Sequence, residues 1–260
     1  MATLSEKLEL LGKDVYADIP STITIKSIPT ASELEFVSAE DFEQTMLDAI
    51  FPDAIEEKID FKKLLEIDFN WICRCLRILN YGPYHTTNAI FCTDCNSVSN
   101  GEYQVDLRTV ECKMLPPKFV NDIVVSKDEF IMFEEDIHLH LLTIQEALNA
   151  QKDKVFKRAD DRSNIELARI CYMITSIGER KSLTPLEKKM FITTHLCDAD
   201  YQILKQKVLD LSDYGLRAGG NTVCPKCKSV EAKYLALVND KFFRPTLGDL
   251  KQWKADRNKG

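Results

Sequence analysis

The chain has 260 residues, 45% of them hydrophobic, enough to bury a core as one large domain or two modest ones. A net charge of −7 argues against a sequence-independent grip on nucleic-acid phosphates, which needs clustered lysine and arginine. No apolar run approaches the roughly 20 residues that span a bilayer, and the opening MATLSEKLELLGKD lacks the apolar core of a signal peptide. A soluble, cytoplasmic protein is the expectation, and there nine cysteines do not read as a disulfide framework.

Residues 1–20 are polar and read as a flexible N-terminal arm with a short helical stretch at 4–11. Residues 21–142 form an α/β portion. In it, TITIKSI (22–28) alternates as a strand, and LEFV leads into a helix capped by Ser38, with Asp41 three residues on and Pro52 at its end. Asp60 or Asp68 caps a second helix that runs to Asn80 and stops at Tyr81-Gly82-Pro83. Strands at 86–91 and 103–107 flank a first cysteine pair, and two short strands are predicted near 123–125 and 130–133. IHLHLL then leads into TIQEALNAQKDKVFKR, where Thr143 and Glu146 form a capping box, a second and fainter case of strand plus capped helix. Residues 143–213 read as a helical insertion, with helices at 164–177, 186–196 and 199–211. Thr184 followed by proline marks the start of the middle one. Residues 214–260 carry a second cysteine pair, a strand and the tail FFRPTLGDLKQWKADRNKG.

Two Cys-x-x-Cys pairs, Cys92/Cys95 and Cys224/Cys227, are each embedded in the same local pattern. Asp68-Phe69 and Asp200-Tyr201 open an amphipathic helix, Tyr81-Gly82 and Tyr214-Gly215 close it, and a cysteine pair, a polar turn and an alternating strand follow. The Asp-aromatic and cysteine positions match at a constant offset of 132, with the Tyr-Gly displaced by one residue. The fold class implied is α+β: duplicated helix–strand–knuckle–strand units forming a split zinc ribbon, with a helical insertion between the halves.

Four thiols from two matched turns suit one tetrahedral zinc, because each turn aims both sulfurs at a point about 2.3 Å away. Cys224-Pro-Lys-Cys227-Lys is typical of such turns, and Cys92-Thr-Asp-Cys95-Asn is sterically equivalent. A dithiol redox centre would place its first cysteine at a helix N-terminus, whereas both pairs here run into turn and strand. With all four positions filled by Cys92, Cys95, Cys224 and Cys227, the metal is structural and has no open position for a substrate. Cys73 and Cys75 lie on different sides of a helix, and Cys112, Cys171 and Cys197 read as small core residues. His138 and His140 share one face of a strand, which a polar sheet surface explains as well as a metal pair does, and His85 and His195 lack a ligating neighbour at a telling spacing. KSLTPLEKK lacks the glycines of a phosphate loop, and no nucleophile motif occurs, so no enzyme activity is expected.

In the tail, Phe242-Phe243-Arg244 places two large aromatics beside an arginine ahead of Pro245. They either close over the core of their own chain or anchor in a partner. Adjacent residues of a strand point to opposite faces, which predicts one phenylalanine inside and the other, with Arg244, on a partner protein.

The helix ending in Tyr81-Gly82-Pro83, the strand into Cys92-Thr-Asp-Cys95, the strand Tyr103-Gln-Val-Asp-Leu107 and the later Cys224-Pro-Lys-Cys227 together resemble the baseplate hub and hub-assembly proteins of T-even-type contractile-tailed bacteriophages. The resemblance runs from about residue 28 to residue 245 and lies in motif order. The first knuckle departs from it, carrying Thr93 where the pattern has proline. It implies a non-enzymatic role in building the tail baseplate through contacts with other hub proteins in the host cytoplasm. Whether the protein stays in the virion or leaves after assembly is left open. The alternative is a zinc-ribbon nucleic-acid-binding regulator. Lys226, Lys228 and Lys233 favour it; Glu231, Asp94, Glu102 and Asp106 weigh against it.

Overall fold

The structure, a computed structural model, describes residues 4–32, 41–87, 94–95, 103–157, 164–217, 219–224, 226–234 and 242–257. The chain is a mixed α+β protein with several small antiparallel sheets. It opens with a hairpin: β1 (Ser5–Glu9) pairs with β2 (Thr22–Lys26), Ser5 opposite Lys26 and Glu9 opposite Thr22. The helix anticipated at 4–11 is therefore a strand. Its register sets Leu8 against Ile23, both buried, and it satisfies a β2 edge that a helix would leave open. Nor are residues 4–20 a loose arm, since Leu10, Leu11 and Ile19 are buried.

Helix α1 joins three stretches, Phe42–Thr45, a π turn Met46–Ile50 and Phe51–Ala54. Its cap is Asp41, whose carboxylate accepts from the Gln44 N–H; Ser38 and the LEFV strand lie outside the described residues. Pro52 does not end this helix. The wide turn before it, closed by Phe51 N–H to Met46 O, has already interrupted the ladder that a missing proline N–H would break. Helix α2 (Glu66–Tyr81) buries Phe69, Ile72, Cys73 and Leu76 on one stripe. Neither proposed aspartate caps it: Asp60 caps the short 3-10 turn Phe61–Lys63, and Asp68 stands at the third helical position. Strands β3 (Tyr84–Thr87) and β4 (Tyr103–Asp106) form the hairpin bearing the first knuckle, and β5 (Cys112–Lys113) follows.

The second half also opens with a hairpin followed by a capped helix. Strands β6 (Ile123–Val125) and β7 (Ile137–Leu139) make a hairpin, and α3 (Ile144–Lys152) follows, with the Thr143–Glu146 capping box formed as the sequence predicts. Residues 130–133 are not a strand, because the amides of Ile131, Met132 and Phe133 are engaged elsewhere, as described below. Helix α4 (Ile165–Met173) ends four residues before the predicted limit of 177. Ile174–Ile177, rich in β-branched residues, becomes β8, which pairs with β7 and with β9 (Arg180–Lys181) in a four-stranded sheet. The segment between the halves is thus not wholly helical. Helices α5 (Pro185–His195) and α6 (Asp198–Ser212) complete it, α5 opening on the predicted Thr184 with proline at its first position. Then β10 (Gly215–Leu216) pairs with β5, and β11 (Gly219–Val223) pairs with β12 (Val230–Tyr234) as the second knuckle hairpin. The chain continues into α7 (Leu247–Arg257).

Each half has its own core. The first surrounds Ile25, Phe51, Phe69 and Leu76; the second surrounds Ile137, Phe156, Ile170 and Leu204. Residues 64–66 and 142–144 bridge them, with Glu66 N–H donating to Leu142 O and Ile144 N–H to Leu64 O. Arg169 of α4 adds a bidentate pair to Glu66 of α2 at 2.9 and 2.5 Å.

The C-terminal segment returns to the first half. Phe242 and Phe243 occupy a turn rather than a strand, and both are buried, so the arrangement of one inward and one outward phenylalanine is not what forms. Phe242 lies edge-on to His85, and Phe243 stacks on Phe42. Arg77, fully buried in α2, donates to the carbonyls of Phe242, Gly82 and Tyr84 at 2.7–2.8 Å. Thr246 and Asp249 form a reciprocal cap on α7, and the buried Asp249 also accepts from the Thr86 hydroxyl at 2.6 Å. Arg244 is exposed. Burial of this kind makes Phe242→Ala and Phe243→Ala core mutations. Each is expected to lower unfolding free energy by about 3–5 kcal/mol, measured by urea denaturation; a loss below about 1 kcal/mol for both would show that the tail is not core.

Candidate metal centre and its paired aspartate clamps

Two helices deliver the knuckle hairpins, and both are anchored in one way. Asp68 and Asp200 each occupy the third position of their helix, and both are fully buried. Asp68 accepts from Leu11 N–H at 2.5 Å, Gly12 N–H at 3.0 Å and the Tyr16 hydroxyl at 2.5 Å. Asp200 accepts from Ile131 N–H at 2.6 Å, Met132 N–H at 3.2 Å and Phe133 N–H at 3.0 Å, with the Cys197 thiol at 3.3 Å. In each half the clamped amides belong to the loop that follows the first strand of the hairpin. The two halves share an order of elements: hairpin, capped helix, a helix with a buried aspartate at its third position, Tyr-Gly and a cysteine turn.

Both helices then turn at a glycine with left-handed backbone, Gly82 at φ 81° and Gly215 at φ 89°. Only glycine accepts these positions without strain, and each is also crowded. A Cβ on Gly82 would collide with Trp253 of α7, and one on Gly215 would come within 2.9 Å of Ile67.

Beyond these turns, β11 runs beside β4, which brings the two knuckle hairpins together. Cys95, Cys224 and Cys227 converge, their sulfurs all within 4.8 Å of one another and Cys95 Sγ 3.8 Å from Cys224 Sγ. Sulfurs bound to one zinc at about 2.3 Å in a tetrahedron stand about 3.8 Å apart, so the observed spacing fits a shared metal, and it is too long for a disulfide. The second knuckle is closed by Lys228 N–H to Cys224 O at 2.9 Å and Cys224 N–H to Ser229 O at 2.8 Å. Lys228 takes φ 63°, the left-handed conformation that such a tight turn imposes after its second cysteine. Cys224 is buried, Cys95 half-buried and Cys227 exposed. Three cysteines are therefore placed to hold a metal ion such as zinc. Cys92, the fourth predicted ligand, lies outside the described residues.

The other candidates do not join this cluster. Cys171 is a core residue as anticipated, and Cys73 is buried as well. Burial pushes the Cys75 and Cys171 thiols up to about 12, so they stay protonated and unreactive at neutral pH. Cys112 and Cys197 are half-buried rather than core. His138 and His140 line one hollow, held by Asp122 at 2.9 Å and Glu146 at 3.1 Å respectively. His85 is buried beside Arg77, and burial first and that cation second bring it down to about 4, leaving it neutral. Local sequence offers Asp60 or Asp68 as a helix cap and does not reveal the clamps; the signal that marks them is the matched Asp-aromatic pair at constant offset. No helix among the described residues is long and apolar enough to cross a membrane. Comparison with protein-family models, curated proteins and solved structures found no match.

Two measurements follow. Cobalt(II) added to the reduced protein is expected to give thiolate charge-transfer absorption, weakened at least about tenfold in affinity by Cys95→Ser or Cys224→Ser and unchanged by Cys112→Ser. Equal binding in all three variants would rule the cluster out. The clamps differ in titration. Burial raises Asp68 to about 6 against the pull of Tyr16, Leu11 and Gly12, whereas at Asp200 the donors Ile131, Cys197, Met132 and Phe133 outweigh burial and hold it below the ordinary value. An aspartate raised in the fold binds its proton more tightly there than in the unfolded chain. Its stabilising contribution is therefore present below about pH 4 and lost as pH rises through about 6. Wild type is expected to gain stability over Asp68→Asn on acidification from pH 7 to 4, read from paired denaturant titrations. A constant difference across that range would refute the shift.

Proposed function

We propose that this chain is a non-enzymatic structural or assembly protein of a contractile phage tail baseplate, within or alongside its hub, acting through protein–protein contacts. A single structural zinc held by Cys92, Cys95, Cys224 and Cys227 staples a split ribbon whose halves come from the two repeats. The observation that carries the structural part is the convergence of Cys95 with Cys224 and Cys227, whose chain positions differ by 129 and 132. Bound there, zinc would supply a cross-link, and a site filled by thiolates keeps no position for substrate. The chain's own residues do the positioning: the clamped helices aim both hairpins, and Lys228 sets the second turn. Placement in a baseplate rests on the motif order of Tyr81-Gly82-Pro83, Cys92-Thr-Asp-Cys95 and Cys224-Pro-Lys-Cys227.

Affinity purification of the tagged chain from infected cells tests this reading. About one zinc per chain and co-purification with baseplate hub proteins are expected, with chelation lowering thermal stability because binding energy of a structural site is folding energy. Two ions per chain would sink the single-site arrangement. Co-purification with DNA or a polymerase in place of tail proteins would move the assignment to a nucleic-acid-binding regulator.

A further inference from the structure

The loop between β6 and β7 ends in an apolar tip that faces solvent. Ile131 and Met132 are 69% and 74% exposed, the only adjacent pair among the exposed large hydrophobics of the described residues. The tip is held from beneath. Asp200 takes the amides of residues 131–133, and the flanking Phe130 and Phe133 pack on each other at 5.4 Å, with Phe133 also against Phe191 at 5.5 Å. A buried carboxylate thus fixes the backbone of two side chains that gain nothing from their own fold.

The first repeat shows the contrast. There the same clamp holds Leu11, which is buried and lines a small hollow with Leu115, Pro116 and Phe119 and with Lys13 and Asp14. That loop is covered by its own chain, with Lys118 N–H donating to Asp14 at 3.2 Å. The second tip keeps the clamp and leaves its apolar residues outward. Exposed Asp128 and Glu134 line the hollow beside it with Lys127, while Glu129 accepts from Ser126 N–H and lies 3.7 Å from Lys207.

We infer that Ile131 and Met132 form a preorganised anchor for a protein partner whose apolar pocket is edged by lysine or arginine. Rigid apolar side chains at the centre of a polar rim are the usual anatomy of an interface hot spot, and a fixed loop avoids the ordering cost of binding. The acidic rim selects a basic complement and disfavours both nucleic acid and an anionic lipid surface. The inference stands apart from the baseplate reading: a non-phage partner would overturn that reading and leave this one intact.

The experiment places a benzoylphenylalanine photocrosslinker at Met132 in the full-length chain, with a control at Val120, which is 71% exposed. Both proteins are irradiated in extracts of the cells that naturally produce the chain. One discrete protein adduct is expected from position 132 and none from 120. Mass spectrometry is expected to place the adduct in an apolar segment beside lysine or arginine. Its yield is expected to fall at least about tenfold with Ile131→Asp and in high salt. The double variant Ile131→Ser, Met132→Ser removes apolar area without adding charge and is expected to give the same loss in a capture assay, with an unchanged melting curve. Absence of a discrete adduct, or an adduct to lipid, to a second copy of the chain or to a segment without basic residues, overturns the inference.

Discussion

A carboxylate withdrawn from water at the third position of a helix must find donors, and in this protein it finds them on the backbone of a distant loop. Asp68 reaches residues 57 and 56 positions away, and Asp200 reaches residues 67 to 69 positions away. Each interaction fastens a long helix to the hairpin that opens its repeat, so the angle at which the helix leaves is set before the knuckle is reached. An unsatisfied buried carboxylate costs several kcal/mol, which makes the loop and the helix interdependent. The two knuckles meet because two such clamps point their helices compatibly.

The clamps are built alike but tuned differently. At Asp68 the third donor is a tyrosine hydroxyl, and burial prevails; at Asp200 three amides and a thiol prevail over burial. The surroundings diverge as well. The first loop is sealed by the segment that follows its own repeat, while the second carries Ile131 and Met132 into solvent. Both halves carry the clamp, and the two loops it holds differ in whether their apolar residues are buried or exposed.

The returning C-terminal segment ties the second knuckle back to α2. Arg77 loses much of its hydration, and burial brings it down to about 10, yet it remains charged, with Asp249 favouring the cation and three carbonyls accepting hydrogen bonds from its N–H groups. Tyr84 donates to Asp256, and Trp253 fills the space that Gly82 leaves open. Residues on both sides of β3 therefore hold the tail, and β3 itself leads towards the first cysteine pair. Cysteine cluster and tail share one structural support.

Local signals in the sequence determined much of this. The capping box at Thr143, the Thr184-Pro185 helix start, the Tyr-Gly stops, the matched helices and the cysteine turns all rest on chemistry within a few residues, so they are legible without the fold. Where the sequence misled, a distant partner had decided the outcome. Residues 5–9 are a strand because β2 lies beside them, 174–177 leave the helix because β7 offers a ladder, and 130–133 are a clamped loop because Asp200 takes their amides. Phe242 and Phe243 are both inward because a turn, unlike a strand, can send neighbouring side chains into one core. Composition and spacing determined which residues carry chemistry. Only tertiary structure decided which of them meet, because burial of a carboxylate and convergence of sulfurs are properties of segments that the chain keeps far apart.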